Sequence, residues 1–154
     1  MDTENTDDME MRKQNRLKGY DYSQNGLYFI TICTVNKQKL LCNIVGDDAH
    51  IVPTKYGTVV EKFMKSMPGI DKYVIMPNHV HLIVKNENGA MWASPPTVSQ
   101  KIKSFKIMVT KTIGKPIFQR SFYDHVIRDE EDYLRIWEYI ENNPGKWTED
   151  KYFI

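Results

Sequence analysis

Short apolar segments of strand-like composition recur along the chain and alternate with longer segments of helical period. The strand-like segments are rich in aromatic and β-branched residues and are bounded by Gly, Pro, Asn or Asp. They cover residues 27–35, a hairpin region of 40–45 and 49–52, residues 72–76 and 79–84, and a short stretch that ends at Ile127. The density of apolar side chains in 27–35 predicts a central position in a sheet.

Three further segments repeat their apolar residues at helical spacing. They predict helices over residues 55–67, over residues 97–112, and from an Asp129 N-cap to about Asn142. The expected inward stripes are Tyr56, Val59, Val60, Phe63 and Met64 in the first helix, Val98, Ile102, Phe105 and Val109 in the second, and Tyr133, Ile136, Trp137 and Ile140 in the third.

The order of these elements predicts the fold class. With the hairpin counted as one region, the order is β-β-α-β-β-α-β-α, which predicts a single α+β domain with an antiparallel sheet backed by helices. We place this domain at residues 20–147, with a loop over 86–96. Residues 1–19 are polar and lack periodicity, which predicts a disordered acidic lead followed by a basic arm. Residues 148–154 are a short C-terminal tail.

The net charge of +1 conceals an uneven distribution of charged residues. Residues 1–10 carry five acids and no base, whereas residues 88–123 carry Lys and Arg without any Asp or Glu. Basic segments of this kind are either solvated surfaces or local phosphate-binding fields. The candidate phosphate contacts are Arg12, Lys13, Arg16 and Lys18 in the arm, and Lys101, Lys103, Lys106, Lys111 and Arg120 in the second segment.

Composition also indicates a compartment. No apolar run approaches the ~20 residues that cross a bilayer, and the acidic N-terminus is unlike a signal peptide. Cys33 and Cys42 fit no C-x-x-C pattern, and we expect two small buried residues, although the sequence leaves a bridge between them open. We therefore expect a protein of the reducing cytoplasm that has no membrane partner.

The strand at residues 79–84 begins with His-Val-His. Successive side chains of a strand alternate between faces, so His79 and His81 project from the same face. Two imidazoles on one rigid edge can supply two ligands of a divalent metal, which is half of a coordination shell. The alternative is a strand whose solvent face carries two histidines.

Tyr139 and Asn143 are one helical turn apart at the margin of the third predicted helix. If that margin lies beside the histidines, Asn143 can provide an oxygen ligand and Tyr139 stands one turn from the metal. Such a site suits phosphoryl transfer, in which a tyrosinate attacks phosphorus. The alternatives are an amphipathic tyrosine at the edge of the core and an asparagine that caps the end of the helix.

Several segments resemble a known family. Pro77-Asn78-His79-Val80-His81 resembles the H-U-H motif of the single-tyrosine transposases, where U is a bulky apolar residue. Residues 122–128 and 139–146 are similar to the REP-associated tyrosine transposases, a branch of that superfamily, and residues 17–22 and 28–34 resemble the start of such proteins. The resemblance extends over roughly residues 12–147, in order and with similar spacing.

The resemblance implies an RRM-like (ferredoxin-like) sheet with the H-U-H motif on a central strand. It implies that His79 and His81 are metal ligands, that Tyr139 is the nucleophile, and that Asn143 is a third ligand to Mg²⁺ or Mn²⁺. Many single-tyrosine transposases carry Gln at the last of these positions. The implied activity is cleavage and transfer of single-stranded DNA next to a hairpin, through a 5′-phosphotyrosine link and a free 3′-hydroxyl.

Other functions stay open at this point. The same scaffold can serve as a DNA-hairpin-binding protein with little or no cleavage in the cell, or as an RRM-like RNA-binding module with stacking aromatics in place of the histidines. Tyr123 and Tyr133 are rival nucleophiles if the register of the motif is different. The resemblance is compatible with either a single chain or a homodimer.

Overall fold

The computed structural model describes residues 26–86 and 96–149. Its strands are β1 (Gly26–Cys33), β2 (Cys42–Val45), β3 (His50–Pro53), β4 (Ile70–Met76), β5 (His79–Asn86) and β6 (Tyr123–Ile127). Its helices are α1 (Lys55–Lys65), α2 (Val98–Ile113) and α3 (Glu130–Asn142), with short 3-10 helices at Val35–Lys37 and Pro144–Glu149. The predicted basic arm and most of the predicted 86–96 loop lie outside these ranges, and Asn86 belongs to β5.

The main sheet has four strands in the order β4-β5-β1-β6, and every neighbouring pair is antiparallel. Helix α1 connects β1 to β4 and α2 connects β5 to β6, so the core of the chain has the β-α-β-β-α-β order of the ferredoxin-like fold. The β2–β3 hairpin is an insertion between β1 and α1. The predicted fold class is confirmed, and the strand that starts with His79 is central.

One face of the sheet builds the larger core. Alternate residues of β1 (Tyr28, Ile30, Ile32) and of β5 (Val80, Leu82, Val84) point toward α1 and α2. The predicted stripe of α2 is confirmed, because Val98, Ile102, Phe105 and Val109 are all buried there. Its Thr97 N-cap forms a capping box with Gln100, which explains why the helix starts at that point.

The other face of the sheet is covered by α3. Ile136 and Ile140 of α3 pack against Ile83 and Ile127, and His79 and His81 share this face because they alternate with Val80 and Leu82. The predicted inward position of Trp137 is wrong, since its side chain is 37% exposed. A helix contacts a sheet along a narrow stripe, and Trp137 lies beside that stripe with the Lys72 ammonium 3.9 Å from its ring centroid.

Polar contacts fix α3 at both edges of the sheet. On the β6 side, His125 Nε2 lies 2.8 Å from Asp132 Oδ2. On the β4 side, the Tyr133 hydroxyl donates to Asp71 Oδ2 at 2.7 Å, and Lys72 Nζ donates to Glu141 Oε1 at 2.7 Å. Asp129 caps the helix, as predicted, by accepting from the Asp132 amide at 2.8 Å. These contacts determine where the later turns of α3 lie on the sheet.

None of the α-helices in the described ranges is long and apolar enough to cross a membrane. Cys33 and Cys42 are both buried and are not joined by a disulfide, in agreement with the expectation of two small buried residues. Burial raises the pKa of the Cys42 thiol to about 12, so this side chain remains a neutral thiol at physiological pH.

Gly57 lets α1 approach the segment that precedes the hairpin. A Cβ at this position would lie 1.9 Å from the backbone oxygen of Leu41. Thr54, the N-cap of α1, binds the same segment through hydroxyl contacts of 2.6 Å to the Leu40 oxygen and 2.9 Å to the Leu41 oxygen. The close approach of helix and backbone therefore requires the absence of a side chain at residue 57.

Gly57→Ala should destabilise the protein by about 2 kcal/mol, because backbone must shift to admit the methyl group. The measurement is the midpoint of chemical denaturation. Gly145→Ala is the matched control, since its Cβ would meet no heavy atom of the described chain within 4 Å. Equal midpoints for the two variants would contradict the packing argument.

A second prediction concerns pH. Burial acts to raise the pKa of Asp132, but the hydrogen bond and charge of His125, the Arg128 amide and the Arg135 charge outweigh it and lower this pKa. A carboxyl with a depressed pKa stabilises the fold above its unfolded pKa and loses that contribution as pH falls through the folded value. Asp132→Asn should therefore be less stable than wild type at pH 5 by about 1 kcal/mol.

That difference should shrink as the pH is lowered below about 4, where the unfolded carboxyl begins to take up its proton. Denaturation midpoints across this range measure it. Glu131→Gln changes an exposed acid on the same helical turn and should show no comparable pH-dependent difference. A difference for Asp132→Asn that is constant from pH 5 to acid would contradict the ionic origin.

Candidate active site

His79 and His81 form the centre of the candidate site. Both side chains are buried, at 0% and 2% exposure, and their ring centroids are 4.5 Å apart. They come together because they alternate on one face of β5, which is flanked by β4 and β1. The alternative of two histidines on a solvent face is therefore wrong.

A neighbouring side chain holds each ring at Nδ1. Asn78 Oδ1 lies 2.9 Å from His79 Nδ1, and a carboxamide oxygen can only accept, so His79 carries its proton on Nδ1 when neutral. Thr31 faces His81 across the β1–β5 ladder, and its hydroxyl oxygen lies 2.8 Å from His81 Nδ1. Contacts of this kind at one ring nitrogen orient the other as a ligand. In both rings that other atom is Nε2.

Tyr139 extends from α3 to the second histidine. Its hydroxyl oxygen lies 3.4 Å from His81 Nε2, and its ring packs edge-on against Phe29 with centroids 6.2 Å apart. The side chain is nevertheless 44% exposed. Tyr139 therefore packs as an amphipathic residue at the edge of the core, as the alternative predicted. Its hydroxyl, however, is directed to the histidine pair.

The exposed side of Tyr139 opens into a groove of about 440 Å³, called here the tyrosine groove. Its lining residues are Arg135, Glu138, Tyr139, Asn142, Asn143, Lys146 and Glu149. They come from α3 from Arg135 onward, from its C-cap Asn143, and from the 3-10 helix that follows. The groove thus gives solvent and ligands access to a hydroxyl that lies beside buried imidazoles.

Asn143 is the C-cap of α3, as one of the sequence alternatives proposed, and its side chain is 4% exposed. Its Oδ1 atom is buried and accepts no hydrogen bond from the described residues. Tyr139, four residues earlier, contacts His81, and the ring of Trp147, four residues later, lies 6.2 Å from that of His79. In sequence Asn143 thus lies between two residues that contact the histidine pair, and its buried oxygen costs free energy unless a further partner is bound.

This donor set fits a divalent cation. His79 and His81 offer imidazole nitrogens, and Asn143 offers an amide oxygen whose hydrogen-bonding capacity is unused in the described chain. Within residues 26–86 and 96–149, no three His, Cys, Asp or Glu side chains are grouped closely enough to hold a metal. Asn143 is accordingly the candidate third ligand, and the remaining coordination positions would be open to water or substrate.

The rival tyrosines have other surroundings. The hydrogen bond from the Tyr133 hydroxyl to Asp71, with burial and the Asp71 charge, raises the pKa of Tyr133, which disfavours a nucleophilic phenolate. Tyr123 pairs with Thr31 on β1, so Thr31 stands between Tyr123 and His81 in the row across the sheet. Tyr139 is the tyrosine whose hydroxyl lies near a histidine nitrogen of the pair.

The basic residues proposed to bind DNA lie in several places. Lys103, Lys111 and Arg120 are exposed around a groove of about 440 Å³ along α2, called here the α2 groove. Helix α2 packs on the sheet face opposite His79 and His81, so this surface belongs to the other layer of the molecule. Arg12, Lys13, Arg16 and Lys18 lie outside the described residues.

Two of the predicted contacts are engaged within the fold. Lys106 Nζ, which also reaches the α2 groove, donates to the backbone oxygens of Gln119, Arg120 and Ser121 at 2.8, 3.0 and 3.2 Å. Burial lowers the pKa of Lys106. Through its three backbone contacts, Lys106 fixes the segment that carries Arg120. Lys101 Nζ donates to the Lys85 backbone oxygen at 3.0 Å.

Sequence reasoning missed the residues that orient the site. The side chain of Asn78 is fully buried. Its position directly before the His-Val-His segment could have indicated from the sequence that it contacts His79. Thr31 and Trp147 gave no such signal. Their contacts depend on the β1–β5 register and on the path of the chain after α3.

Comparison with known proteins gives relatives by sequence. No family model matches the chain. An uncharacterized protein of Haemophilus influenzae is 33% identical over 93% of this chain and 93% of its own length. The REP-associated tyrosine transposase of Escherichia coli is 26% identical, with 81% of this chain and 70% of that protein covered.

A solved structure agrees with the fold. The structure of a REP-associated tyrosine transposase bound to a REP hairpin superimposes with a TM-score of 0.60, covers 87% of this chain and 75% of the other, and is 24% identical. This likeness establishes the shared architecture. The sequence similarity to the transposase of Escherichia coli supports the resemblance seen in the motifs. In its motifs and in its sequence relatives, the chain is similar to the REP-associated tyrosine transposases.

Proposed function

We propose that the chain is a metal-dependent single-strand DNA endonuclease and strand transferase that acts next to DNA hairpins through a 5′-phosphotyrosine at Tyr139. The observation that carries the proposal is the 3.4 Å between the Tyr139 hydroxyl oxygen and Nε2 of the buried His81. A nucleophile and a candidate metal ligand thus lie side by side, and the tyrosine is open to the groove. The similarity to REP-associated tyrosine transposases makes DNA the expected substrate.

In the proposed reaction, the Tyr139 oxygen attacks the scissile phosphorus, and its proton leaves to solvent through the groove. The new O–P bond links tyrosine to the 5′ side of the break, while the P–O3′ bond breaks and the departing oxygen takes a proton from water to become a 3′-hydroxyl. Attack by another 3′-hydroxyl on the phosphotyrosine reverses these bond changes and joins strands.

His79, His81 and Asn143 would hold Mg²⁺ or Mn²⁺, which supplies Lewis acidity for a phosphate oxygen when bound. Asn78 and Thr31 orient the two imidazole rings through their Nδ1 atoms, and the ring of Phe29 packs against that of Tyr139. All of these residues belong to one chain. The proposed cleavage site is therefore complete without a second copy, although a homodimer remains compatible with it.

The proposed substrate is a single strand that carries a hairpin. Lys103, Lys111 and Arg120 on the α2 groove provide positive charge for phosphates away from the cleavage site. The transposase in the solved relative is bound to a REP hairpin. We extend hairpin binding to this chain as part of the proposal.

Tyr139→Phe removes only the hydroxyl and should abolish the covalent protein–DNA adduct. The measurement uses a pool of labelled hairpin-bearing single strands with Mn²⁺, resolved on a denaturing protein gel. Tyr133→Phe and Tyr123→Phe are matched controls that should keep the labelled band. A band that survives in Tyr139→Phe would move the nucleophile elsewhere. Tight hairpin binding by wild type without any band would favour the binding-protein alternative.

His79→Ala and His81→Ala should each abolish cleavage and lower the Mn²⁺ affinity measured by calorimetry by at least about 10-fold. Loss of a group that only orients a ligand already lowers metal affinity by about that factor, and loss of the ligand itself should cost at least as much. Hairpin binding in EDTA should persist. His50→Ala is the matched control, because His50 is exposed on β3. Normal cleavage by both histidine variants would refute the metal assignment.

Asn143→Gln should retain part of the cleavage activity that Asn143→Ala loses.

A further inference from the structure

Arg135 is a cation of the tyrosine groove that the proposed reaction has not yet used. It lies four residues before Tyr139 and eight before Asn143, so the three side chains fall on adjacent turns along one side of α3. All three line the tyrosine groove. The Arg135 side chain is 68% exposed, which leaves most of its surface open to a ligand.

Asp132 holds the guanidinium of Arg135. Its Oδ1 accepts from Arg135 Nη2, while its Oδ2 lies 2.8 Å from His125 Nε2 and 3.4 Å from the Arg128 amide. Asp132 is itself buried, and His125 belongs to the sheet through β6. A continuous set of contacts therefore runs from the sheet to the groove and restrains a side chain that would otherwise move freely.

The charge of the groove explains why a positioned cation matters there. Glu138 and Glu149 also line it, and their carboxylates repel a phosphodiester. The basic residues that line the tyrosine groove are Arg135 and Lys146. A guanidinium carries five N–H donors in a planar fork, so the donors on Nε and Nη1 remain for phosphate oxygens when Nη2 binds Asp132.

We propose that Arg135 binds the non-bridging oxygens of the phosphate attacked by Tyr139, and that Asp132, anchored by His125, is the positioning residue for its guanidinium. This inference rests on the proposed function. Negative charge on those oxygens is redistributed as the phosphoryl group is transferred, and a fixed guanidinium stabilises it without reorganisation. Arg135 is then a catalytic residue, whereas Asp132 and His125 act through it.

The first test uses Arg135→Gln, Arg135→Lys and the matched control Arg128→Gln, which removes the same charge from an exposed site outside the groove. With saturating hairpin-bearing strands and Mn²⁺, Arg135→Gln should form the covalent adduct about 10-fold or more slowly. Arg135→Lys should recover part of the rate, because it restores charge without the fork. Arg128→Gln should match wild type.

The second readout is independent of cleavage. In EDTA, the slope of log affinity against log salt for a labelled single strand should fall by about 0.7 in Arg135→Gln, since one phosphate contact on a single strand is lost. Arg128→Gln should keep the wild-type slope. If wild type makes no adduct, the proposed function fails, and this slope still decides whether Arg135 contacts phosphate.

A double-mutant cycle tests the positioning role of Asp132. Asp132→Asn should slow adduct formation in the wild-type background but add no further slowing to Arg135→Gln, because it acts through the same guanidinium. Thermal unfolding confirms that the compared variants are folded at the assay temperature. Additive losses of adduct-formation rate in the double-mutant cycle would overturn the inference. So would an equal loss of rate in Arg128→Gln and Arg135→Gln, or a wild-type rate and salt slope in Arg135→Gln.

Discussion

The arrangement depends on the burial of two imidazoles side by side in the middle of a sheet. Buried polar rings cost free energy unless their nitrogens are bonded, and the fold meets that requirement at one nitrogen of each ring. Thr31 serves His81 through the β1–β5 register, and Asn78 serves His79 through the turn before β5. The cost of burial is thereby reduced, while Nε2 of His81 lies 3.4 Å from the Tyr139 hydroxyl oxygen.

The two faces of the sheet divide stability and chemistry between them. The face under α1 and α2 is almost wholly apolar and contains the larger core. The face under α3 has a small apolar cluster around Ile136 and Ile140, and polar contacts at both edges complete the docking of the helix. Such contacts are directional, so they set the rotation and height of α3 more closely than apolar packing alone would. The chemical groups of the site are placed by that rotation.

Most of the fold could be predicted because the strands and helices of this chain differ clearly in period and composition. The stripe of α2 and the Asp129 cap follow from spacing and from local hydrogen bonding, which are properties of short segments. Trp137 was misplaced because periodicity gives the direction of a stripe but not its width, and a cation from β4 stabilises the ring outside it. Thr31 was missed because its role exists only in the paired register. The sequence indicated His79, His81, Tyr139 and Asn143, but their common location required α3 to fold back over β5.

The contrast in exposure between Tyr139 and the histidines bears on the form of DNA in the proposed reaction. His79 and His81 are buried and contact Trp147 and Tyr139 respectively, whereas Tyr139 is exposed to the tyrosine groove. A flexible single strand can place one phosphate in the tyrosine groove beside Tyr139, whereas a duplex would have to distort and lose base stacking to do so. For the proposed reaction we therefore expect cleavage beside a hairpin rather than within its stem.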